Sequence, residues 1–520
     1  MVRSEREVRL QKIDLLREQG INPYPSKAFE RTHTVIQIID LFDKSKKVIP
    51  NGEADPESQS LRTCGRVVSK RESKKTIYMD LQDFSGEIQL VVIKNEFAND
   101  QDLTCEKLTK LLDEGDFIGI QGVGYRTKRG QLSILVSIVE ILSKATMPFP
   151  DSYYGVKDIE RLRRYREIDM VSTRETLNRF AMRSKIVKSI RDYLNQNEFY
   201  EIETPIFQTV YGGASARPFI TYHNSLDTNL YLRIATELFL KRAICGGFEK
   251  VYEVGRVFRN EGIDATHNPE FTSLEAYQAY ADYFDMIKLV EVIICNAAEV
   301  AGLNLKEIQY QGYSISLEGK YDYSDVYPTL NGLHWRIKTM VEAVRDETGL
   351  NFDEFKDVSQ ALKEIQKLDL EISELDKQSV GNLLYAVFDR KVEETLIQPT
   401  FIIDFPVEVS PLAKTHRSKP QYTERFEMFL AGQEFSNCFS ELNDPVEQRK
   451  RFEAQLARKQ AGDDEAMLLD EDFLQALSLG MPTCAGLSIG IDRLAMLLTN
   501  SMSIRDIVMF PTMKPYKKQD

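Results

Sequence analysis

Residues 250–280 read KVYEVGRVFRNEGIDATHNPEFTSLEAYQAY, and this stretch decides the fold and much of the chemistry. The residues up to Phe258 favour a strand, a polar loop follows, and a second strand starts near Phe271. Side chains two apart along a strand point to the same face. The stretch therefore predicts a β-hairpin that presents an aromatic ring, an acid and a phenol on one surface. The residues on that surface are Phe271, Ser273, Glu275 and Tyr277.

Arg259 and Glu261 lie two apart at the end of the first strand, beside the polar loop. The planar guanidinium of arginine suits bidentate binding of phosphate, and an aromatic side chain such as Phe271 can stack on a nucleobase. For any one of these residues, a structural Arg–Glu pair beside a core aromatic is an equally good interpretation. Together in one hairpin they favour a nucleotide site.

A second stretch, residues 424–442, reads ERFEMFLAGQEFSNCFSEL and predicts another hairpin with its turn at Ala431 and Gly432. Glu427 and Glu434 flank this turn closely enough to share one cation. Two carboxylates hold Mg²⁺ when substrate phosphates complete its coordination shell. After the turn, alternate side chains share one face, although an exposed edge strand would show the same pattern. These side chains are Asn437, Phe439 and Glu441.

A third stretch, residues 485–498, reads AGLSIGIDRLAMLL and predicts a helix that follows Gly486 and Gly490. Arg493 falls in its first turn, where a cation opposes the helix dipole unless an anion is bound nearby. The position favours a phosphate contact over a solvated arginine. Two further candidates are Gly213, in a polar loop, and Glu237, which either faces a ligand or only caps a helix.

The first part of the chain has a different pattern. Residues 4–20 predict an amphipathic helix with a capping box formed by Ser4 and Glu7. Between Leu61 and Leu142, five short alternating runs predict a small barrel of the OB type, which binds single-stranded nucleic acid on aromatic and basic side chains. Basic residues near Tyr78 support this function, and a basic hairpin on a structural barrel is the alternative.

From Ser172 onward, helical patterns such as 173–197 alternate with strands that come in pairs. Paired strands predict an α+β fold with a largely antiparallel sheet. The domain boundaries expected from these changes of pattern are 1–58 for an N-terminal helical extension, 59–146 for the barrel, 147–171 for a linker and 172–520 for the second domain.

The composition restricts the class of protein. The 520 residues are 42% hydrophobic and carry a net charge of −13, which is typical of a globular chain with a sizeable core. No apolar run approaches the roughly 20 residues of a membrane span, and no signal-peptide pattern opens the chain. Six scattered cysteines form no zinc or disulfide pattern. The expected compartment is the cytoplasm.

The three stretches, in this order and spacing, resemble the three signature motifs of class II aminoacyl-tRNA synthetases. Pro205 corresponds to the proline of the first motif, residues 258–261 (FRNE) to the second and residues 490–493 (GIDR) to the third. Within that class, the chain resembles the bacterial lysyl-tRNA synthetase family over nearly its whole length. The segments that carry this closer likeness are LREQGINP at 16–23, GGASARPF at 212–219, HNPEF at 267–271 and FSELN at 439–443.

The resemblance implies an antiparallel-sheet class II catalytic domain, an N-terminal OB-fold that reads the anticodon, and a homodimer with the first motif at its interface. It also implies ATP, L-lysine and tRNA(Lys) as substrates, and Mg²⁺ as cofactor, with up to three ions per subunit. Arg259 and Arg493 would be the catalytic residues, clamping the α- and γ-phosphates, and Glu427 and Glu434 would hold the metal. The ATP-binding residues would be Arg259, Glu261, His267, Asn268, Phe271, Glu427 and Arg493. The lysine-binding residues would be Gly213, Glu237, Arg259, Glu275, Tyr277, Asn437, Phe439 and Glu441. The anticodon-binding residues would be Arg66, Arg71, Tyr78 and Gln89.

The expected reaction is attack of the lysine carboxylate on the α-phosphorus of ATP, followed by transfer of lysine to the tRNA 3′ end. An acidic pocket suits an ammonium group, whereas an aspartate side chain would need a cation. Three alternatives stay open: a noncatalytic tRNA-binding or regulatory paralogue, a relative that lysylates protein, and aspartyl or asparaginyl specificity. Gln131 departs from the acid often found at its position in bacterial relatives, which leaves the reading of the anticodon there unassigned.

Overall fold

The structure is a computed structural model of the chain and describes residues 4–44, 49–55, 60–94, 105–149, 158–460 and 462–515. It consists of two compact units, Met1–Val156 and Lys157–Asp520. Within the described residues, no helix is long and apolar enough to cross a membrane.

The first unit contains a closed five-stranded barrel with the strand order β1-β2-β3-β5-β4. The five runs predicted from the sequence form its strands, so the prediction of a small barrel is confirmed. Its elements are α1 (Glu5–Glu18), α2 (Val35–Lys44), β1 (Leu61–Glu72), β2 (Thr76–Gln82), β3 (Glu87–Ile93), α3 (Cys105–Leu111), β4 (Phe117–Arg126) and β5 (Leu132–Ser143).

The N-terminal helices pack against this barrel. Ser4 caps α1, and Glu7 completes the predicted capping box. Leu16 of α1 and Phe42 of α2 are buried in the same apolar cluster as the strands. A Cβ atom at Gly124 of β4 would lie 2.2 Å from Cζ of Phe42, so the helix approaches the strand too closely for any side chain there. The range expected as a separate extension therefore shares its core with the barrel.

The second unit is built on an eight-stranded sheet in the order β16-β17-β18-β19-β20-β11-β10-β6. Its central pairs are antiparallel, and only the pairs β16–β17 and β10–β6 at the two ends are parallel. The largely antiparallel α+β fold is thus confirmed. The strands of the unit are β6 (Tyr200–Glu201), β7 (Phe207–Gln208), β8 (Ile220–His223), β9 (Thr228–Leu232), β10 (Lys250–Phe258), β11 (Glu270–Ala279), β12 (Ile308–Tyr310), β13 (Tyr313–Ile315), β14 (Tyr321–Asp322), β15 (Leu333–His334), β16 (Arg336–Thr339), β17 (Thr400–Ile403), β18 (Arg425–Leu430), β19 (Gln433–Ser440) and β20 (Cys484–Gly490).

Helices cover both faces of this sheet. On one face, α6 and α8 share the largest core cluster with inward side chains of β10, β11, β18 and β20. On the other face, α9 and α11 cover the β17 and β18 side, and α7 and α13 cover the β10 and β11 side. The helices are α4 (Ile159–Arg164), α5 (Arg166–Ser172), α6 (Arg174–Gln196), α7 (Glu237–Cys245), α8 (Tyr283–Val300), α9 (Met340–Thr348), α10 (Val358–Ile365), α11 (Val380–Lys391), α12 (Pro445–Gln460), α13 (Glu471–Ser478), α14 (Ile491–Leu498) and α15 (Ile504–Ile507), with short 3₁₀ turns at Phe352–Glu354, Gln366–Leu368, Asp376–Gln378, Glu393–Thr395 and Val407–Val409. The helices α4 and α5 lie in the range that the sequence pattern assigns to a linker.

Candidate active site

Three neighbouring strands, β11, β20 and β19, form the floor of the candidate site. Their register places Glu275 beside Ser488 and Ser488 beside Asn437, and it places Tyr277 beside Gly486 and Gly486 beside Phe439. Directly paired residues on adjacent strands point to the same face. Residues more than 150 positions apart in the chain therefore form two adjacent rows on one surface.

A cavity of about 500 Å³ opens above this floor. It has the size of a typical small-molecule site, with aromatic walls and a few polar groups. Of the sequence-predicted residues, those that line it are Gly213, Glu237, Arg259, Phe271, Glu275, Tyr277, Glu434, Asn437 and Phe439. The predicted shared face of Phe271, Ser273, Glu275 and Tyr277 is confirmed, because all four side chains border this cavity.

Glu275 is the best-anchored acid of the cavity. The backbone N–H of Thr236 donates to one of its oxygens at 3.0 Å, and the Tyr277 hydroxyl donates to the other at 3.2 Å. Burial and the nearby Glu237 carboxylate raise the pKa of Glu275 to about 7, and the two hydrogen bonds act in the opposite direction. The protein groups of the cavity thus leave this acid only partly ionised at neutral pH, and a bound cation would complete its ionisation.

Glu237 and Glu441 form a second acidic group, joined by a residue that the sequence analysis missed. Lys241, fully buried on α7, places its Nζ 2.6 Å from Oε1 of Glu237 and 2.5 Å from Oε2 of Glu441. Glu237 is the first residue of α7 and also lines the cavity, so it combines the two roles left open from the sequence. Glu441 follows β19 and is buried on the cavity side of the sheet, with its Oε1 on the same side of Gly486 as the Tyr277 ring.

Gly486 is the position in the floor at which neighbouring side chains come closest to the backbone. A Cβ atom there would lie 2.2 Å from Cε1 of Tyr277 and 2.5 Å from Oε1 of Glu441. Both distances are far below van der Waals contact, so only glycine lets these two side chains approach the strand. Gly213 has φ +88°, and a Cβ atom there would lie 3.0 Å from that of Ala235. At both glycines, the absence of a side chain lets the neighbouring groups of the cavity wall lie close to the glycine backbone.

Of the two predicted phosphate-binding arginines, Arg259 lines this cavity, whereas Arg493 is outside the lining and contacts Glu434, which lines it. The Arg259 guanidinium lies 5.1 Å from the centre of the Phe271 ring, and its buried Nε donates to no group within the described residues. Arg493, in the first turn of α14 as predicted, donates from Nη1 to the backbone oxygen of Glu434 at 2.6 Å. Its Nη2 lies 3.4 Å from Nε2 of His267. Both guanidinium groups therefore keep donors available for an anion.

Glu261 and Asn268 are two of the five predicted nucleotide-site residues outside the cavity lining, and the other three are His267, Glu427 and Arg493. Glu261 is exposed, and its backbone N–H donates to the oxygen of Arg259 at 2.9 Å. Asn268 is buried and donates from Nδ2 to the backbone oxygen of Glu270 at 2.6 Å, which fixes the end of the loop. A ligand would have to reach the loop from the cavity to contact them.

Glu427 and Glu434 lie on the hairpin of β18 and β19, as predicted, but they are not direct partners. A bulge between Met428 and Phe429 pairs Glu434 with Phe429 and Glu427 with Asn437. Burial raises the pKa of Glu427 to about 8; Arg425 opposes this effect, and the carboxylates of Glu434 and Glu393 add to it.

Glu427 is buried and Glu434 is half-buried, and carboxylate oxygens of this kind fit a hard cation such as Mg²⁺. Within the described residues, no three His, Cys, Asp or Glu side chains are grouped so that they could hold a metal ion by themselves. The two glutamates would therefore need substrate phosphates to complete the shell.

The predicted anticodon residues lie on the barrel, and two of them form a pair. Arg71 lies directly opposite Tyr78 on β1 and β2, and its guanidinium is 3.7 Å from Asp80. Gln89 is buried and accepts a hydrogen bond from Ser133 at 3.1 Å. Arg66 is held by the Phe117 ring, 4.2 Å from its guanidinium, and donates to the oxygen of Gly115. Arg71 is exposed, Tyr78 and Arg66 are half-buried, and Gln89 is the least accessible of the four.

Two family models match the chain. Residues 158–514 match the model described as "tRNA synthetases class II (D, K and N)", and residues 61–142 match "OB-fold nucleic acid binding domain". The first match covers more than half of the chain and contains the entire cavity. The chain belongs to the class II tRNA synthetase family. The resemblance found in the sequence motifs is thereby confirmed, as is the pairing of a synthetase domain with an OB-fold.

Curated relatives of this class II synthetase align over nearly its whole length. A lysine–tRNA ligase of Carboxydothermus hydrogenoformans is 45% identical over 98% of this chain and 97% of its own. A lysine–tRNA ligase of Bacillus subtilis is 45% identical over the same shares. A third, of a Synechococcus strain, is 46% identical over 99% of this chain and 98% of its own.

Three residues of the synthetase site escaped the sequence analysis. They are Lys241, Arg425 and Gly486. Lys241 is four residues after Glu237 on one helix, and Arg425 is two residues before Glu427 on one strand, spacings that place side chains together. Arg425 donates to Glu427 at 2.5 Å and to Asn437 at 3.3 Å. The spacings of Lys241 and Arg425 could have predicted their contacts with the two glutamates. The crowding at Gly486 depends on strand register, and no pattern in the sequence predicts it.

Proposed function

We propose that the chain is a lysine–tRNA ligase. It activates L-lysine with ATP, giving lysyl-adenylate and pyrophosphate, and then transfers lysine to the 3′ end of tRNA(Lys). The observation that carries this proposal is the set of three buried carboxylates, Glu237, Glu275 and Glu441, around a cavity that Arg259 also lines. Acids at one end and a guanidinium at the other match a substrate with two ammonium groups and one carboxylate.

The first step needs no enzyme nucleophile. The lysine carboxylate attacks the α-phosphorus of ATP in line with the leaving pyrophosphate. Arg259 binds the α-phosphate and Arg493 the γ-phosphate, so that charge developing on these oxygens meets fixed guanidinium groups. Positioning and electrostatic stabilisation of this kind are the main terms in phosphoryl-type transfer. A ribose hydroxyl at the tRNA 3′ end then attacks the mixed anhydride.

Nucleotide and metal ligands complete the site. Phe271 offers a ring to the adenine, and His267, Asn268 and Glu261 are the loop residues assigned to ATP. Glu427 and Glu434 would hold Mg²⁺ together with the phosphates, and the bound metal would neutralise phosphate charge. Arg425 keeps Glu427 in position through its 2.5 Å contact. Carboxylates outnumber the cations that could pair with them beside Arg493, and this excess supports the assignment of Mg²⁺ to Glu427 and Glu434.

The acidic pocket favours lysine over aspartate and asparagine, the other substrates of this branch of the class. An aspartate side chain would need a cation, and the buried Lys241 is already paired with two glutamates. Asn437 and the Tyr277 oxygen add hydrogen-bonding partners for an ammonium group, and Phe439 and Gly213 contact the aliphatic and backbone parts. Truncating a pocket acid should therefore cost lysine affinity without creating affinity for aspartate.

The barrel supports binding of the tRNA anticodon. Tyr78 would stack on a base, Gln89 would hydrogen-bond its edge, and Arg66 and Arg71 would contact phosphates. Arg71 and Tyr78 face the same side of the barrel, as base stacking next to a phosphate requires.

We further infer a homodimer that works in the cytoplasm. An exposed apolar surface on the short strands β7 to β9 and beside β6 supports the dimer. Its side chains are Tyr200, Ile206, Phe207, Ile220, Tyr222, Leu226 and Phe248. Large apolar side chains grouped in this way are typical of a protein interface, and Pro205 of the first motif lies among them.

The two alternatives from other functional classes predict different activities. A noncatalytic paralogue would be expected to lack a motif arginine or a metal carboxylate, and this chain has Arg259, Arg493, Glu427 and Glu434. A relative that lysylates protein would be expected to lack the OB-fold, which this chain has.

The test is lysine-dependent charging of tRNA(Lys), measured together with ATP–pyrophosphate exchange. The purified protein should do both, and Arg259→Ala should reduce exchange by a factor of about 100 or more, as loss of a fixed transition-state donor does. Arg191→Ala, which removes an arginine from an exposed ion pair with Glu201, is the control and should be unaffected. Exchange that persists in Arg259→Ala would refute the assignment of that residue.

A further inference from the structure

The ion pairs of Lys241 lie beneath the lysine pocket. Its side chain is fully buried, between the carboxylates of Glu237 and Glu441 and near the rings of Phe439 and Phe473, 5.4 and 5.6 Å from its Nζ. Burying a charge is costly unless it is paired, so a fully buried ammonium with two carboxylates is a fixed feature of this fold. Neither oxygen of Glu441 accepts a well-aligned hydrogen bond from the rest of the described chain.

We propose that Lys241 is a positioning residue of the amino-acid pocket, whose ammonium holds Glu237 and Glu441 ionised and neutralises one of the three pocket carboxylates. Two negative charges then remain, one for each ammonium group of L-lysine. This inference rests on the proposed function. Lys241 itself does not line the cavity, so it acts on the substrate only through the two glutamates.

Other titratable groups of the described residues also face Lys241, Glu237 and Glu441. Burial alone would lower the pKa of Lys241, but Glu237 and Glu441 together raise it above the usual value, so the ammonium is charged at neutral pH. Burial raises the pKa of both Glu237 and Glu441, the neighbouring carboxylates add to the rise at Glu441, and the Lys241 ammonium opposes the rise at both. Cys245 on α7 and Cys484 on β20 also face Lys241; burial raises the pKa of both thiols, which stay neutral. The other charged or titratable groups of the described residues within range of the two glutamates are Glu275, Tyr277, Arg425 and Cys438.

Removal of the Lys241 charge has a defined consequence. Without the ammonium, Glu441 beside Glu237 would take up a proton at neutral pH, because two buried carboxylates without a cation do not both ionise. Its carboxyl would then bind a substrate ammonium poorly. Raising the pH would restore the second carboxylate and with it the affinity. A purely structural role of Lys241 would give a loss that is the same at every pH.

The experiment compares Lys241→Met with the wild type in lysine-dependent ATP–pyrophosphate exchange between about pH 7.5 and pH 9. At the lower pH, KM for lysine should rise by a factor of about 10 to 100, the loss expected when a charged hydrogen bond is weakened, with a smaller change in kcat. The ratio of the two KM values should fall as the pH rises. Lys188→Met, which removes a lysine from an exposed i,i+4 pair with Asp192, is the matched control and should behave as wild type.

A second measurement needs no variant and covers the case in which Lys241→Met does not fold. Calorimetric titration of the wild type with lysine, in buffers of different ionisation enthalpy, counts the protons released on binding. If Lys241 keeps Glu237 and Glu441 ionised, only Glu275 releases protons, about half a proton per site at pH 7. Release of more than one proton, or an unchanged KM ratio across the pH range, would overturn the inference. A wild type that binds no lysine would instead refute the proposed function.

Discussion

At the scale of single residues, the pocket depends on how closely side chains approach the backbone of β20. Gly486 lies between Tyr277 on one neighbouring strand and Phe439 on the other, and Glu441 lies against it. A side chain at this position would push Tyr277 and Glu441 out of the positions in which they face the cavity. The absence of a side chain at Gly486 is therefore part of the lysine site.

Gly486→Ala should raise KM for lysine by a factor of about 10 to 100, since overpacking of this kind costs about 1–3 kcal/mol. The new Cβ atom would lie within 2.5 Å of Tyr277 and Glu441. Exchange kinetics at varied lysine concentration measure the effect. Gly246→Ala, whose new methyl group would come no closer than 3.3 Å to another residue, is the control. An unchanged KM would show that the floor can relax.

Glu275 should make lysine binding depend on pH. Burial and the Glu237 carboxylate raise its pKa to about 7, and an ammonium group binds only its ionised form. KM for lysine should therefore fall as the pH rises from about 6 to about 8, by at most tenfold per unit. In Glu275→Gln the KM should be higher and should not vary over this range. A pH profile that is the same in both proteins would assign the titration to another group.

The sequence predicted the chemical types at the site better than their contacts. Phe271, Glu275 and Tyr277 follow from strand alternation, and Arg493 from its place in a helix. The ion pairs of Lys241 and the bulge beside Glu427 could not be predicted, because they depend on the register between strands and on how α7 packs on the sheet. Such long-range contacts leave no local pattern in the chain.

At the scale of elements, hairpins carry the site and the barrel carries the nucleic-acid surface. The hairpin β10–β11 contributes Glu275 and Phe271, the ring proposed to stack on adenine, and the hairpin β18–β19 contributes Asn437 and the two glutamates proposed to hold the metal. The strand β20 lies between them in the sheet, with Arg493 in the helix that follows. This order joins three separate stretches of sequence around one cavity.

Tyr78→Ala on β2 should reduce the efficiency of tRNA charging by a factor of about 10 to 100, since stacking of a base on an aromatic ring is worth about 1–3 kcal/mol. ATP–pyrophosphate exchange without tRNA should not change. Tyr78→Phe keeps the ring and should retain charging. An equal loss in both assays of Tyr78→Ala would contradict the assignment of separate tasks to barrel and sheet.

The sequence predicted the helices and strands better than it predicted the contacts of single residues. Alternation gave the five barrel strands and the β10–β11 hairpin, and the capping box at Ser4 and Glu7 gave the start of α1. The short strands β7 and β8 carry too few residues to show a period. The packing of α1 and α2 into the barrel core was also missed, because the change of sequence pattern before residue 59 led us to expect a domain boundary there.

At the scale of the whole molecule, the exposed apolar side chains near Pro205 form the proposed dimer interface. Ile220→Glu would place a charge in the proposed dimer interface, where it would be desolvated, and should shift the protein from dimer to monomer at micromolar concentration. Sedimentation equilibrium measures this shift. Leu479→Glu changes another exposed aliphatic residue and is the control. A wild type that is monomeric would refute the dimer.

The central claim is that one cavity activates lysine and no other standard amino acid. The most direct test is ATP–pyrophosphate exchange by the purified protein with each of the twenty amino acids, without tRNA. The pocket of Glu237, Glu275 and Glu441 predicts exchange with lysine alone. Exchange with a different amino acid would contradict the assignment of these acids, and no exchange with any amino acid would contradict the claim that the chain is an enzyme.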